Sequence, residues 1–168
     1  MTSTSHSQQI DVLLVTGMSG AGRSTATRAL EDLGWFVTDN LPPTLFSDVV
    51  DYVTRNADVK KVAVVADVRG GALFSELNTS LARIKAAGHD VRVLFLEANN
   101  ETLVRRYESS RRPHPLQGNG AILAAVEQER ALLSDLRAAS DIIIDSSALN
   151  VHDLRRRIEH AFGNDEHV

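Results

Sequence analysis

The sequence predicts an α/β fold in which a five-stranded, mainly parallel sheet lies between two layers of helices. Five short runs of Val, Ile, Leu and aromatic residues recur along the chain, and segments with the apolar spacing of helices separate them. The chain has 168 residues, 43% of them hydrophobic and 24% charged, which is typical of one compact domain. These observations together predict a single three-layer domain.

The five predicted strands are too short to be helices and are apolar without interruption. Such runs are typical of parallel strands that helices cover on both faces. The second run begins with Trp35 and Phe36, which we expect in the core rather than against a ligand. The runs occupy residues 12–15, 35–37, 62–66, 91–96 and 142–144.

Six helices are predicted between and after these strands. Gly34 ends the first, and Asn150 is a suitable N-cap for the last, with Asp153 in its first turn to complement the helix dipole. The fifth carries an apolar stripe of Ile122, Val126, Leu133 and Leu136. The predicted helices span residues 24–33, 45–53, 73–84, 100–110, 122–136 and 154–162.

Three segments lack the pattern of regular structure. Residues 1–9 are rich in Ser and Thr and predict a flexible tail. Residues 111–120 contain two prolines and two glycines, which predict a loop that could act as a mobile flap. Residues 164–168 are polar and predict the start of a linker. The predicted domain therefore covers residues 10–163.

Composition and charge exclude several classes of function. With 18 Lys and Arg against 22 Asp and Glu, the net charge of -4 provides no overall basic field to attract nucleic acid or anionic membranes. The chain has no Cys, which excludes disulfides, Cys-ligated zinc and thiol catalysis. Its longest apolar run, 121–126, is far below the roughly 20 residues of a membrane-spanning helix. With no secretion signal in the sequence, we expect a cytoplasmic protein.

A phosphate-binding motif lies between the first strand and the first helix. The sequence Gly-Met-Ser-Gly-Ala-Gly-Arg-Ser at 17–24 matches the Walker A pattern G-x-x-x-x-G-K-S/T, except that Arg23 takes the Lys position. Glycines let backbone N–H groups wrap a polyphosphate, and the following helix N-terminus adds its positive dipole end. The alternative is a glycine-rich turn without a ligand. The motif predicts a P-loop NTPase fold.

Each position of the loop has an expected role in binding a nucleotide. Arg23 keeps the positive charge for the β- and γ-phosphates, although its planar fork differs from the compact ammonium of Lys. The Ser24 hydroxyl is a candidate Mg²⁺ ligand, and Thr25 supplies a second hydroxyl. The candidate nucleotide-binding residues here are Gly17, Met18, Ser19, Gly20, Ala21, Gly22, Arg23, Ser24 and Thr25.

Two carboxylates follow predicted strands and are candidates for catalysis together with Arg23. Asp67 ends the run 62–66, as expected of a Walker B carboxylate that holds Mg²⁺ at the carboxyl edge of a sheet. Asp39 follows the second strand, where the sequence Asp-Asn-Leu-Pro-Pro is also typical of a turn. Either residue could instead be a simple strand terminus. We predict Mg²⁺ ligation by Ser24 and Asp67.

Basic residues cluster between residues 105 and 114. Guanidinium groups on a helix and its exit loop could reach a bound polyphosphate and neutralise charge in the transition state. The alternative is a solvated helix end whose charges interact with its own carbonyl groups. The cluster consists of Arg105, Arg106, Arg111, Arg112 and His114.

Several of these motifs in combination resemble the RapZ/YvcJ family of bacterial nucleotide-binding proteins. The resemblance covers about residues 12–162. Besides the loop at 17–24, it rests on Ala-Leu-Glu-Asp-Leu-Gly-Trp at 29–35, Asp-Asn-Leu-Pro at 39–42, Asp-Val-Arg at 67–69, Arg-Arg-Tyr at 105–107, and Arg-Arg-x-His-Pro-Leu at 111–116.

The resemblance implies an ATP-binding Walker A loop, a second, GTP-associated segment, and ATPase and GTPase activity. The second segment would consist of Asp67, Val68, Arg69 and Gly70. Family members are longer, and in some of them a C-terminal domain binds small RNAs and a sugar phosphate, so this chain corresponds to the N-terminal domain. Similarity to nucleotide-kinase-like P-loop folds further implies the strand order 2-3-1-4-5.

The function expected from the sequence is that of a regulatory domain that binds ATP and GTP with Mg²⁺ and hydrolyses them slowly. RNA or metabolite binding is expected only through the C-terminal domain of longer relatives. Two alternatives stay open: a small-molecule or nucleotide kinase, with an acceptor held after Asp39 and by the 111–120 flap, and a non-catalytic interaction domain. Without the Asn-Lys-x-Asp motif that reads guanine, the sequence leaves the base preference open.

Overall fold

A computed structural model describes residues 9–56, 58–66, 71–110 and 122–163. These residues form one five-stranded parallel sheet in the order β2-β3-β1-β4-β5, with helices around it. A 3-10 helix at Pro43–Leu45 precedes the second helix. The strands are β1 (Asp11–Gly17), β2 (Phe36–Asp39), β3 (Lys61–Val65), β4 (Asp90–Glu97) and β5 (Ile142–Asp145). The helices are α1 (Arg23–Asp32), α2 (Phe46–Asn56), α3 (Gly71–Ala86), α4 (Asn100–Ser110), α5 (Ile122–Leu132), α6 (Ser134–Ala138) and α7 (Val151–Phe162).

The central strand β1 is buried on both of its faces. Val12, Leu13, Leu14 and Val15 expose at most 2% of their surface. Val12 is in register with Val62 of β3 on one side and with Val91 of β4 on the other. This burial is what uninterrupted apolar strands predict, and the predicted strand order 2-3-1-4-5 is confirmed.

The helices pack in pairs around the sheet. Helix α1 contacts α7, α2 contacts α3, and α4 contacts α5. At the end of α7, the ring of Phe162 meets Trp35 edge-on, with 6.2 Å between the ring centroids. Asn150 caps α7 and Asp153 lies in its first turn, as predicted, and the two side chains also form a capping box. The three-layer α/β prediction is therefore confirmed.

Two local predictions were wrong. The segment 122–136 is not one helix, because Leu133 leaves the helical conformation with ψ near 2° and separates α5 from α6. Leu133 and Leu136 are nevertheless both buried, as the predicted apolar stripe requires. Phe36 is not in the core but 43% exposed, because β2 is an edge strand and Phe36 lines an apolar surface groove with Leu45 and Tyr52.

Several predicted segments fall outside the described residues. They are most of the N-terminal tail (1–8), residues 67–70, the 111–120 loop and residues 164–168. Within the four described ranges, no helix combines the length and apolar character that crossing a bilayer requires.

The end of β1 allows a test of backbone packing at Gly17. A Cβ atom there would lie 2.1 Å from the carbonyl oxygen of Leu96, at a φ of +144°. We expect Gly17→Ala to lower the free energy of unfolding by more than about 3 kcal/mol, measured by urea denaturation. Gly34→Ala is the matched control, because its φ is also positive and no atom lies within 4 Å of its Cβ position. It should cost about 1 kcal/mol, and equal losses for the two variants would contradict the packing argument.

Candidate functional site

The loop between β1 and α1 depends on glycine at two close contacts. Gly17 lies against the backbone of Leu96, and Met18 donates its N–H to the Leu96 carbonyl over 2.9 Å. Gly22 has a φ of +115°, and a Cβ there would lie 2.3 Å from Cδ2 of Leu154 in α7. The positive φ of Gly22 therefore favours glycine, and a side chain there would also displace the Leu154 side chain.

The N-terminus of α1 is suited to an anion. Its first helical hydrogen bond runs from the N–H of Ala26 to the carbonyl of Gly22, at 3.0 Å, so the N–H groups of Ser24 and Thr25 lie ahead of the helical ladder. No side chain caps this helix, and its first turn contains no acidic residue. The positive end of the helix dipole is thus left to attract a ligand.

Donors from outside the loop satisfy two of its carbonyl groups. Arg106 of α4 donates from Nη1 to the Gly20 carbonyl at 3.0 Å. Ser146, just after β5, donates its hydroxyl to the Ala21 carbonyl at 2.7 Å. Both carbonyls are therefore directed toward Arg106 and Ser146. Phosphate-binding loops need this backbone orientation, because their N–H groups and not their carbonyls must face the anion.

A buried carboxylate from α5 holds the middle of the loop. Glu129 is 2% exposed, and its Oε1 accepts the backbone N–H of Ser19 at 2.8 Å. Its Oε2 accepts the Ser19 hydroxyl at 2.6 Å. Charge-assisted bonds of this kind are stronger than neutral ones. Glu129 therefore fixes the position of the loop from a helix 110 residues away in the sequence.

Arg106 is held by a second element besides the loop. Its Nη2 donates to the carbonyl of Ser146 at 2.7 Å, and its Nη1 to the Ser146 hydroxyl at 3.0 Å. Burial lowers the pKa of Arg106, the neighbouring Arg105 charge lowers it further, and Asp145 opposes both effects. Hydrogen bonds from the Ser147 hydroxyl and N–H lower the pKa of Asp145, so this carboxylate stays ionised beside the guanidinium.

Three sequence-predicted site residues meet around one polar cavity. Nη1 of Arg23 donates to the Ala66 carbonyl, just past β3, at 3.3 Å. Asp39 ends the neighbouring strand β2, and Ser24 lies in the first turn of α1. Together they line a cavity of about 340 Å³. The structure thus brings together Arg23 and Ser24 of the loop and Asp39, one of the two predicted carboxylates.

Two further cavities adjoin the loop and α4. One of about 390 Å³ lies on the α7 side, between Gly20, Thr25, Arg106 and Leu149. The other, of about 480 Å³, is lined by Arg105 and Arg106 with Thr102, Ser109 and Ser147. Arg105 is exposed there, and the loop contact is made by its neighbour Arg106.

The remaining predicted site residues lie outside the described part of the chain. They are Asp67, Val68, Arg69, Gly70, Arg111 and Arg112. Among the described residues, no three His, Cys, Asp or Glu side chains group as a metal site. Ser24 is exposed at the start of α1, and a hydroxyl oxygen is a ligand type that suits Mg²⁺.

Sequence reasoning missed Glu129, Ser146 and Arg28. Glu129 had a readable signal: it occupies a gap in the apolar stripe of α5, three residues after Val126 and four before Leu133. A carboxylate at such a buried position needs a polar partner. Ser146 and Arg28 carried no such signal, because only the tertiary structure brings them to the loop and the cavity.

Comparison with known proteins identifies relatives along almost the whole chain. The family profile described as RapZ-like N-terminal domain matches residues 10–166. Nucleotide-binding protein FRAAL4592 of Frankia alni is 50% identical over 155 residues, which cover 92% of this chain and 54% of that protein. A nucleotide-binding protein of Streptomyces avermitilis is 50% identical over 157 residues, with coverages of 93% and 52%. The chain thus spans about half the length of these curated relatives.

Solved structures share the fold at low sequence identity. The tunicamycin resistance protein of Deinococcus radiodurans aligns with a TM-score of 0.66 and 19% identity, over 92% of this chain and 96% of that one. Shikimate kinase from Acinetobacter baumannii aligns with a TM-score of 0.60 and 18% identity, over 95% and 97%. The fold is therefore the P-loop kinase-like α/β fold.

The Glu129 contacts with Ser19 predict a large loss of stability when the carboxylate is removed. Glu129→Ala leaves a buried N–H and a buried hydroxyl of Ser19 without that acceptor, and we expect the free energy of unfolding to fall by about 3 kcal/mol. Ser19→Ala removes only the hydroxyl contact and should cost about 1 kcal/mol. Urea denaturation measures both, and a Glu129→Ala variant as stable as Ser19→Ala would show that the backbone contact contributes little.

Proposed function

The chain belongs to the RapZ-like N-terminal domain family, and on that basis we propose that it is a regulatory domain that binds ATP and GTP with Mg²⁺ and hydrolyses them slowly. One observation carries the proposal: the loop between β1 and α1 has its carbonyls bonded from behind by Arg106 and Ser146 and leads into an uncapped helix N-terminus. The relatives' description as nucleotide-binding proteins supports it.

The phosphates would bind at the loop formed by residues 17–25. Backbone N–H groups and the α1 dipole provide attraction, and Arg23 adds a full positive charge beside the loop. Ser24, together with Asp67, would hold Mg²⁺. Bound there, the ion would neutralise charge on the β- and γ-phosphates. We propose contributions from Arg105, Arg111 and Arg112 to the same charge, and from the 67–70 segment to GTP binding.

The nucleotide base would occupy the cavity on the α7 side of the loop. Leu149, Val151 and Leu154 give it apolar walls, and Arg106 supplies a guanidinium plane, which can stack on an aromatic base. The Oδ1 of Asn150 is engaged by the N–H of Asp153 in the helix cap. Apolar walls and stacking do not read base edges, which supports the binding of both ATP and GTP.

Slow hydrolysis follows from the residue at the Lys position. Lys presents a compact charge at this position, whereas Arg23 presents a planar guanidinium whose Nη1 donates to the Ala66 carbonyl at 3.3 Å. A guanidinium turned toward that carbonyl can support ground-state binding with less stabilisation of the transition state. We therefore propose that the domain binds nucleotides tightly enough for a regulatory role and hydrolyses them slowly.

Phosphoryl transfer to a small molecule is a second candidate function. The polar cavity shared by Arg23, Ser24 and Asp39 favours it, because a second ligand could sit there next to the loop. Kinases of this fold, such as the shikimate kinase above, are named for such acceptors. RNA or sugar-phosphate binding, by contrast, we assign to the second half of the longer relatives. The cysteine-free composition supports our proposal of a cytoplasmic location.

Titration calorimetry with ATP and GTP, with and without Mg²⁺, tests the proposed binding site. We expect both nucleotides to bind, and more weakly without the metal. Arg23→Ala should weaken binding by about tenfold through loss of a charge-assisted contact. Arg23→Lys should keep the affinity within about threefold and leave phosphate release equal or faster. Failure of both nucleotides to bind at millimolar concentration would overturn the proposal.

Replacement of Arg106 tests the proposed base and loop contacts. Arg106→Ala removes the donor to the Gly20 carbonyl and the stacking plane, so the Kd for ATP and GTP should rise by about tenfold for both. Arg156→Ala is the control, because Arg156 is a highly exposed arginine on α7. Thermal melting of both variants checks their folding. A change confined to one nucleotide would show that Arg106 reads the base instead.

A further inference from the structure

The polar cavity beside the loop has its own set of ligand-binding groups. Its volume of about 340 Å³ lies at the small end of the range for ligand pockets. Four of its residues come from the first two turns of α1, one ends β2, one follows β2, and one ends β3. They are Arg23, Ser24, Thr27, Arg28, Asp39, Asn40 and Val65.

Among the described residues, the cavity combines two positive charges with one negative charge. Arg28 follows Ser24 by one helical turn, so both side chains lie on the same face of α1. A guanidinium group is a planar fork that binds carboxylate or phosphate through paired hydrogen bonds. Since Arg23 donates to the Ala66 carbonyl, Arg28 is, within the described part of the chain, the cation placed to hold an anionic group of a second ligand.

The carboxylate of Asp39 is oriented by its own backbone. Its Oδ1 accepts the N–H of Asn40 at 2.7 Å, and Asn40 has a φ of +58°, which is uncommon for a residue other than glycine. The hydrogen bonds described for Asp39 engage Oδ1 only, so Oδ2 can accept a proton or hydrogen bond from a ligand. A hydroxyl group is the ligand chemistry that such an oxygen fits.

We propose that this cavity is the acceptor site for a small molecule that carries both a hydroxyl and an anionic group, carboxylate or phosphate. The proposal rests on the nucleotide site proposed above. Arg28 binds the anionic group, and Asp39 binds the hydroxyl. The size and polarity of the cavity exclude a large apolar ligand.

In the proposed reaction the acceptor oxygen attacks the γ-phosphorus of the bound nucleotide. A bond forms between that oxygen and the phosphorus, and the bond from the phosphorus to the β–γ bridging oxygen breaks. The nucleoside diphosphate leaves with the electron pair of the broken bond. The hydroxyl proton passes to the carboxylate of Asp39 and then to solvent. The products are a phosphate ester, the nucleoside diphosphate and one proton.

Three probes of similar size test the ligand class. Glycerate carries a hydroxyl and a carboxylate, glycerol 3-phosphate a hydroxyl and a phosphate, and glycerol only hydroxyls. We expect ligand-observed NMR to detect binding of one or both anions and not of glycerol. Transfer of label from γ-labelled ATP to the bound anion should follow. Equal binding of glycerol, or binding of neither anion at tens of millimolar, overturns the proposal, and binding without transfer overturns the acceptor role.

The variant Arg28→Ala separates this proposal from the nucleotide site. It should weaken anion binding by about tenfold and leave the Kd for Mg-ATP within about twofold, since Arg28 lies one turn beyond the loop. Arg83→Ala, an exposed arginine on α3, is the charge-matched control and should change neither. If the wild-type chain fails to bind Mg-ATP, the proposed function fails. If it binds Mg-ATP but Arg28→Ala binds the anion as the wild type does, only the acceptor proposal fails.

Discussion

The site depends on one constraint: a sharp backbone turn after β1 has to present N–H groups to an anion while its buried polar groups find partners elsewhere. Donors from α4 and from the end of β5 satisfy the Gly20 and Ala21 carbonyls, and the carboxylate of Glu129 takes the N–H and hydroxyl of Ser19. An unsatisfied buried group costs about 1–3 kcal/mol, so the buried contacts of the Ser19 N–H and the Ala21 carbonyl stabilise the turn in this conformation. The loop sequence alone cannot hold the loop shape.

Two cavities adjoin the start of α1. The cavity on the α7 side has mainly apolar walls, and we propose it for the base. The cavity on the side of β2 and β3 is lined by charged residues, and we propose it for a small anion. A triphosphate on the loop would adjoin both, because Gly20 and Thr25 line the first cavity and Arg23 and Ser24 line the second.

The sequence relatives and the solved structures support two different conclusions, one about family and one about fold. Identity of 50% with nucleotide-binding relatives places the chain in the RapZ-like N-terminal domain family, whereas structures of the same fold at 18–19% identity show only the architecture. The chain spans about half the length of these curated relatives.

The succession of strands and helices along the chain could be predicted from the sequence, because hydrophobic periodicity is local. Apolar runs predicted all five strands, and Asn150 with Asp153 predicted the start of α7. Glycine spacing predicted the loop for the same reason. The exposure of Phe36 and the break at Leu133 escaped prediction, because a run of apolar residues does not show which side chain an edge strand leaves exposed or where a helix ends within it. So did the contacts of Glu129 and Ser146, which lie 110 and 125 residues from their partners in the loop. Local sequence thus determined which strands and helices form. Only the tertiary structure decided which side chains bond to the loop, because the hydrogen-bond partners of a buried turn are the groups that lie near it in space.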